Sequence, residues 1–264
     1  MTGSALTAVH YHARDRQVTW YGVGMTAGEE FDTFISNDVA SRLNDEEGQR
    51  ELEAHLRGLA NTGFARESLY AILASNAPEE RSWAVGEAMA EAYLNREHAV
   101  TWPWNMERDK RTPKASLPGA DLVGFQIAEG ETRLVLGEVK TSTDANSPPN
   151  VMNGRSGMAY QIDNLATNLT LINKLLKWLL PRCKGTAHEP SFNAAVGSFL
   201  NSGNKAIALF GVLIRDTNPN EQDLRPRGST LAKNIQSPTT CHLVALYLPC
   251  VIDDLPRLVA GGGA

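Results

Sequence analysis

The feature that most constrains this chain is a predicted β-hairpin in residues 118–142. Two apolar runs, residues 122–127 and 132–136, are separated by a short polar segment with Glu129 and Gly130 at its centre. Apolar runs joined by a short polar segment that contains a glycine are typical of strand, tight turn and strand. A two-residue turn at this place also fixes which residues of the two strands face each other.

The predicted register places Asp121 directly opposite Glu138, because the two residues are equally far from the turn. Residues that face each other in antiparallel strands have Cα atoms roughly 4.5–5.5 Å apart. Two carboxylates so close destabilise each other unless a positive charge lies between them, and a divalent cation would supply it. Lys140 is two residues beyond Glu138, so its side chain projects from the same face of the strand. The hairpin therefore predicts a site with two carboxylates and a lysine.

Composition predicts a globular protein and argues against one class of function. The chain has 264 residues and 42% hydrophobic content, which is enough for one large domain or a domain with an extension. Its formal net charge is −5, whereas domains that hold nucleic acid by bulk electrostatics are usually basic. Any contact with nucleic acid must then be local or be provided by a partner.

Cysteine usage and hydropathy predict a cytoplasmic protein. Cys183, Cys241 and Cys250 are scattered and form neither a disulfide framework nor a metal-ligand cluster. No charged and apolar leader opens the sequence, and polar residues interrupt its longest apolar run, residues 165–180. We therefore expect neither secretion nor a membrane span.

Element patterns divide the chain into three predicted parts. Residues 1–75 have the patterns of two strands and several helices but no catalytic motif, and form an N-terminal extension that docks a partner or completes the core. Residues 76–250 contain the hairpin with further helices and strands and form the core. Residues 251–264 are predicted to be a C-terminal tail.

A helix is predicted over residues 83–94, after a proline and two acidic residues that favour a helix N-terminus. Glu87 and Glu91 are four residues apart and share a face, and small residues on this helix permit close packing on a sheet. Two interpretations are open. The glutamates form a solvated stripe, or Glu87 is a further carboxylate of the site.

Residues 99–117, between this helix and the hairpin, contain Trp102, Trp104 and a basic run. Cations just before the carboxylates could hold a phosphate backbone, and an aromatic ring could stack on a base. Alternatively, the segment is a solvated loop that core tryptophans hold in place. The basic residues are Arg108, Lys110, Arg111 and Lys114.

Downstream of Lys140, residues 141–157 are polar and predict a mobile loop at the mouth of the site. Residues 158–180 have apolar side chains at helical spacing and predict one long core-facing helix that ends at Pro181. Gln161 in its first turn could hold a phosphate or an attacking water, or could be an exposed polar residue with no role.

Two further apolar runs, residues 206–214 and 242–249, predict strands that complete the sheet, the first of them buried on both faces. Residues 215–240, which lie between them, predict a long loop. Three cations of that loop could contact a phosphate backbone or a partner: Arg225, Arg227 and Lys233.

The order of these elements resembles the core of the PD-(D/E)xK nuclease superfamily. The residues that carry the resemblance are Glu87 on a helix, Asp121 and Glu138-Val139-Lys140 on two strands, and Gln161 on the next helix. The whole chain further resembles the HamA family, the nuclease subunits of the Hachiman anti-phage defence system, in three segments: Gly86-Glu87-Ala88, Leu117-Pro118-Gly119-Ala120-Asp121 and Leu136-Gly137-Glu138-Val139-Lys140-Thr141-Ser142.

Two residues depart from the superfamily pattern. Ala120 precedes Asp121, so the literal Pro-Asp pair is absent, although the carboxylate remains. Tyr160 precedes Gln161, whereas in the RecB-like version of the motif a tyrosine follows by one turn.

The resemblance implies an α/β fold with a restriction-endonuclease-like core, in which helices flank a mixed central sheet, and an N-terminal α+β extension. It implies a Mg²⁺-dependent deoxyribonuclease, for which Mn²⁺ could substitute. Asp121, Glu138 and the Val139 carbonyl would hold the metal, with Glu87 acting through water, and such hard oxygen ligands suit Mg²⁺. Lys140 would orient or deprotonate the attacking water, or stabilise charge on the phosphate.

The resemblance also implies partners. These are DNA and a HamB-like helicase that forms a heterodimer with the nuclease and restrains it until activation. Two alternatives remain open: a module with a nuclease fold that binds nucleic acid or a regulator without cutting, and a restriction-type endonuclease or toxin that acts alone.

Overall fold

The computed structural model describes residues 6–75, 81–110, 119–128 and 130–261. The strands are β1 (Thr7–Asp15), β2 (Val18–Met25), β3 (Val100–Thr101), β4 (Leu122–Ala128), β5 (Glu131–Ser142), β6 (Ile207–Arg215) and β7 (Thr240–Tyr247). The helices are α1 (Glu29–Thr33), α2 (Ala40–Leu43), α3 (Glu46–Leu59), α4 (Gly63–Ala74), α5 (Val85–His98), α6 (Met106–Asp109), α7 (Met158–Thr167), α8 (Leu169–Cys183), α9 (Glu189–Asn201), α10 (Arg225–Asn234) and α11 (Leu255–Val259). A π-helical turn, Phe34–Val39, joins α1 to α2.

All seven strands form one mixed sheet in the order β1-β2-β7-β6-β5-β4-β3, and helices flank it. The predicted α/β class is therefore confirmed. β2, β7, β6 and β5 run parallel, whereas β1, β3 and β4 pair antiparallel at the edges. Every residue of β6 is buried, as expected for a strand covered on both faces.

The hairpin β4–β5 has the predicted register. Leu122 pairs with Gly137 and Ala128 with Glu131, so the turn has two residues, of which Gly130 has a φ of +81°. The Asp121 N–H donates to the Gly137 carbonyl over 2.9 Å and extends the pairing by one step. The open end of the hairpin thus brings Asp121 to the level of Glu138.

The two N-terminal strands form a hairpin that belongs to the central sheet. β1 and β2 pair through a two-residue turn, with Asp15 opposite Val18. β2 then pairs in parallel with β7, from Val18 opposite Cys241 to Gly24 opposite Tyr247. The sheet is therefore continuous across the boundary predicted at residue 75.

The prediction of one helix over residues 158–180 is wrong. The helix is interrupted at Asn168, whose φ and ψ of −87° and 88° are not helical. The Asn168 side chain accepts a hydrogen bond from the Leu171 N–H and so caps the start of α8. Helix α8 continues past Pro181 to Cys183. Proline in the last turn removes one backbone hydrogen bond but leaves little helix beyond it to disrupt.

Residues 215–240 are not a long loop, because they contain a 3₁₀ turn, Glu221–Asp223, and helix α10. Gly228 lets α10 approach the ring of Trp20, where an added Cβ would lie 2.5 Å from the nearest ring atom. Helix α9, which no pattern predicted, covers β5 with Phe192, Ala195 and Phe199 buried.

Residues 251–261, assigned from sequence to a C-terminal tail, form a 3₁₀ turn, Ile252–Asp254, followed by α11. Leu255 is buried, so the start of α11 packs on the core. Residues 262–264 lie outside the described residues. None of the described helices has the length and apolar character that a bilayer crossing requires.

Candidate active site

The Asp121 and Glu138 carboxylates interact at the open end of the hairpin. The Asp121 carboxylate accepts a hydrogen bond from the Val139 N–H over 2.9 Å, and Lys140 Nζ donates to Glu138 Oε1 over 2.6 Å. Burial raises the pKa of Glu138, the negative charge of Asp121 raises it further, and Lys140 opposes both effects. The three predicted residues therefore form one cluster, in which like charges crowd and one lysine compensates in part.

Helix α7 begins on the same face of the sheet as Glu138. Gly211 of β6 is the register partner of Glu138, and an added Cβ at Gly211 would lie 2.8 Å from Met158 Sδ. The first turn of α7 thus covers the strand pair at the level of the site, as the predicted order of elements requires. Gln161, one turn further on, is partly buried, and its Nε2 donates to the Arg155 carbonyl over 2.8 Å. The Gln161 side chain therefore donates to the loop before α7 and not to a carboxylate of the site.

Glu87 approaches the site from helix α5. An added Cβ at Gly86 would lie 2.6 Å from Thr141 Oγ1, so only a helix with a small residue there can lie this close to β5. The Glu87 side chain is 20% exposed and forms an ion pair with Lys110. Burial raises the pKa of Glu87, Lys110 lowers it, and the charge of Asp121 raises it again. The solvated-stripe interpretation is wrong, because Glu87 is largely buried within electrostatic reach of Asp121.

Glu91 is not part of that cluster and has a structural partner. It is fully buried, and its Oε2 accepts from Arg42 Nε over 2.6 Å, while Arg42 Nη2 donates to the Trp104 carbonyl. Burial raises the pKa of Glu91 to about 7, against the opposing effect of Arg42. The pair ties α2, α5 and the segment before α6 together.

We expect Glu91→Gln to remove part of the pH dependence of stability. With a folded-state pKa of about 7 and an ordinary value of 4.5, the folded protein holds this proton more tightly than the unfolded chain. The contribution of Glu91 to stability is thus complete at low pH and is lost as the pH rises between these values, by about 3 kcal/mol at most. Glutamine keeps an acceptor for Arg42 and does not titrate. Urea unfolding at about pH 5 and about pH 8 measures the difference, and equal pH slopes in the two proteins would contradict the prediction.

The basic run before the hairpin does not form a phosphate-binding surface in its described part. Lys110 is only 3% exposed, forms the ion pair with Glu87, and lies 5.6 Å from the centre of the Trp83 ring. Arg108 donates to Asp109 over 3.0 Å. Arg111 and Lys114 lie outside the described residues.

Trp102 and Trp104 are 8% and 1% exposed, so neither ring can stack on a base. Their indole N–H groups donate to the main-chain carbonyls of Glu91 and Val123. The alternative interpretation, a segment that core tryptophans hold in place, describes this stretch. No pattern in the sequence indicates that Lys110 is buried beside the site.

The first half of the loop after β5 is anchored, contrary to the predicted mobile loop. The fully buried Arg215 donates to the main-chain carbonyls of Asp144, over 2.7 Å, and Asn146, over 3.3 Å. The Asp144 carboxylate accepts from the N–H groups of Asn146 and Asn150, both over 3.0 Å. These bonds fix the loop beside the carboxyl end of β5.

A cavity of about 380 Å³ lies beside Glu87 and Val139, with the C-terminal segment as its far wall. Ile252, Asp253 and Leu255 line it, although the sequence assigned them to a tail. A larger cleft of about 1180 Å³ is lined by α2, α3 and the segment around Trp104, and none of Asp121, Glu138 and Lys140 borders it. Of the proposed site residues with carboxylates, Glu87 borders the smaller cavity, and neither the cavity nor the cleft is lined by Asp121 or Glu138.

The donor set fits a hard divalent cation held by few protein ligands. In the described part of the chain, no group of three or more His, Cys, Asp and Glu side chains is arranged to hold a metal ion. Mg²⁺, however, commonly keeps several waters and uses one or two carboxylates together with substrate phosphates. The crowded pair of Asp121 and Glu138 meets that requirement, and a cation between them would relieve the repulsion that raises the pKa of Glu138.

Comparison with protein-family models and with curated proteins finds no match for this chain. The geometry around Asp121, Glu138 and Lys140 therefore has to carry the functional conclusion.

Proposed function

We propose that this chain is a Mg²⁺-dependent deoxyribonuclease that hydrolyses phosphodiester bonds at Asp121, Glu138 and Lys140. The observation that carries the proposal is the pair of carboxylates at the open end of the hairpin, with the Lys140 ammonium 2.6 Å from Glu138. Two carboxylates that can hold a metal, with a cation beside them, are groups suited to metal-dependent phosphodiester hydrolysis.

Each residue has a role in this proposal. Asp121 and Glu138 would hold Mg²⁺ with the Val139 carbonyl, and Mg²⁺, when bound, supplies a water of lowered pKa and neutralises charge on the phosphate. Lys140, next to Glu138, orients or deprotonates the attacking water or stabilises the developing negative charge. Glu87 contributes through water, and its ion pair with Lys110 limits the negative charge it adds. Gln161 remains a proposed contact to the phosphate or the water.

The order of elements supports a restriction-endonuclease-like core. Helix α5 carries Glu87, antiparallel β4 and β5 carry Asp121 and Glu138, α7 carries Gln161, and β6 then pairs in parallel with β5. This is the order in which the superfamily resemblance arranges its residues. The resemblance to the HamA family extends the proposal to an anti-phage effector restrained by a HamB-like helicase.

The surface of α3 and α4 supports a protein partner. No residue of α3 is buried, and Leu69 is the one residue of α4 that is buried. Helix α4 exposes large apolar side chains: Phe64 is 81% exposed, and Tyr70 and Ile72 are each 60% exposed. Exposed apolar surface of this kind often marks a site of protein interaction. We therefore propose that α3 and α4 dock the helicase, which would also bring most of the grip on DNA to this acidic chain.

Cleavage of plasmid DNA in Mg²⁺, by the chain alone and with its helicase partner, tests the nuclease proposal. We expect Glu138→Ala with Lys140→Ala to abolish cleavage in both settings. Glu30→Ala with Lys184→Ala, two exposed residues away from the hairpin, removes the same charges and should cut at the parental rate. A Glu138 and Lys140 variant that cuts as well as the parent would refute the site. DNA binding without cleavage in Mg²⁺ or Mn²⁺, even without a partner, would favour the non-cleaving module.

A further inference from the structure

Two helices begin side by side where the parallel strands β5 and β6 end, on the side of the sheet that carries Glu138. This end of the sheet is called the edge below. β5 and β6 are parallel and end together, with Ser142 opposite Arg215. α7 is the first helix after β5, and α10 is the helix between β6 and β7. Arg227, in the first turn of α10, donates to the Asn153 side chain in the loop before α7. Further along, Asn234 of α10 donates to Asp163 of α7 over 3.1 Å. The helices thus run in the same direction, and both begin near the carboxyl ends of the parallel strands, where α/β sheets bind ligands.

Cations gather at this edge from two separate elements. Arg155 is exposed in the loop before α7, and Arg227 lies across from it on α10. Within the described residues neither arginine forms an ion pair, whereas neighbouring Arg225 is 3.8 Å from Glu221. Arg227 is partly exposed, and its described hydrogen bond goes to the uncharged Asn153 side chain. Its positive charge is therefore not neutralised by a carboxylate in the described part of the chain, and an anion at this edge would interact favourably with it.

The start of α7 adds main-chain donors. Its N-cap residue, Gly157, has no side chain to accept from the first N–H groups of the helix. Such groups, together with the helix dipole, favour an anion. The edge therefore combines two guanidinium groups with an uncapped helix start. Met158, at the start of α7, packs on the face of the sheet that carries Glu138.

We propose that this edge, formed by residues 153–157 and the first turns of α7 and α10, binds the phosphodiester backbone of DNA beside the carboxylates. Arg155 and Arg227 contact the phosphates, because the planar guanidinium matches phosphate oxygens and stays charged. The proposal rests on the proposed nuclease function and gives this subunit a local DNA-binding surface of its own. It also explains how a chain with a net charge of −5 could hold the strand that it cuts.

DNA binding measured by fluorescence anisotropy in EDTA, where no cleavage occurs, tests the edge. Labelled single-stranded and duplex oligonucleotides are titrated with Arg155→Gln/Arg227→Gln over a range of KCl concentrations. We expect about tenfold weaker binding at low salt and a salt slope reduced by about two. The control, Arg14→Gln/Arg16→Gln at the turn between β1 and β2, removes the same charge at the opposite end of the sheet and should bind as the parent does. Arg155→Lys/Arg227→Lys keeps the charges and should retain most of the affinity, and melting temperatures confirm that each variant is folded.

Two results would overturn the proposal: unchanged affinity and salt slope in the double glutamine variant, or no DNA binding by the parent at low salt. A parallel cleavage assay in Mg²⁺ separates the two proposals. If the parent cleaves DNA and the double glutamine variant binds as well as the parent, the nuclease proposal stands and the DNA-binding edge is refuted. If binding depends on Arg155 and Arg227 but no cleavage occurs, the DNA-binding edge stands and the nuclease proposal is refuted.

Discussion

Replacing Asp121 with asparagine is expected to lower the rate of Mg²⁺-dependent DNA cleavage by about 100-fold or more. Loss of residues that only support a metal ligand commonly costs about 10–100-fold in metal affinity or activity, and Asp121 is proposed as a ligand itself. Asparagine has the same shape, and its Oδ1 can still accept from the Val139 N–H, which Asp121 contacts over 2.9 Å. The hairpin should therefore keep its register while the site loses one negative charge.

Three measurements on Asp121→Asn separate chemistry from folding. Single-turnover cleavage gives the rate, Mn²⁺ titration followed by electron paramagnetic resonance gives the metal affinity, and thermal unfolding gives the stability. We expect the rate and the affinity to fall together while the melting temperature holds or rises, because a repulsion with Glu138 is removed. Parental cleavage by a folded variant would exclude Asp121 from the site.

Replacing Arg215 with methionine is expected to destabilise the fold by about 3–5 kcal/mol, the usual cost of removing one partner of a buried charged pair. Arg215 is 1% exposed and Asp223 is fully buried, with 3.9 Å between Arg215 Nη1 and Asp223 Oδ1. Arg215 also donates to the carbonyls of Asp144 and Asn146, which would lose their partner. Methionine fills similar space, so the loss of stability arises mainly from the missing charge and hydrogen bonds and not from a cavity.

Urea unfolding measures this loss, and a second substitution identifies its source. Arg215→Met with Asp223→Asn removes both charges, and asparagine can still accept from the Tyr247 hydroxyl that now donates to Asp223 over 2.9 Å. We expect the double variant to recover part of the stability, because no buried charge is left alone. If the double variant is as unstable as Arg215→Met, the carbonyl contacts and not the charge pair stabilise this region.

The parts of the site that could be predicted from sequence are those set by local geometry. A two-residue turn and a period of two are enough to predict Asp121 near Glu138 with Lys140 beside them. The observed register runs from Leu122 with Gly137 to Ala128 with Glu131, and the Asp121 N–H donates to the Gly137 carbonyl next to it. Whether Glu87 belongs to the site could not be predicted, because the spacing of two glutamates does not tell which side of the helix meets the sheet. The close approach of Gly86 to Thr141 decides that, and it depends on residues far apart in the chain.

Features that depend on tertiary partners could not be predicted. Lys110 belongs to a run of cations that is typical of a solvated surface, yet Glu87 and Trp83 bury it. The apolar spacing of residues 158–180 continues across Asn168, where side-chain capping overrides it and starts a new helix. Helix α10 contains Gly228, which argues against a helix locally, while packing on Trp20 makes the glycine favourable.

The pairing of β2 with β7 also governs when this protein can fold. Val18 pairs with Cys241, so β2 can pair with β7 only after the long stretch of chain between them has been made. Contacts between such distant residues make folding slow, because a long loop must close before they form. Until then β1 already pairs with one edge of β2, while the edge that later faces β7 is unpaired. The N-terminal hairpin therefore presents one open strand edge until β7 has been made, and such an edge is a site at which chains aggregate.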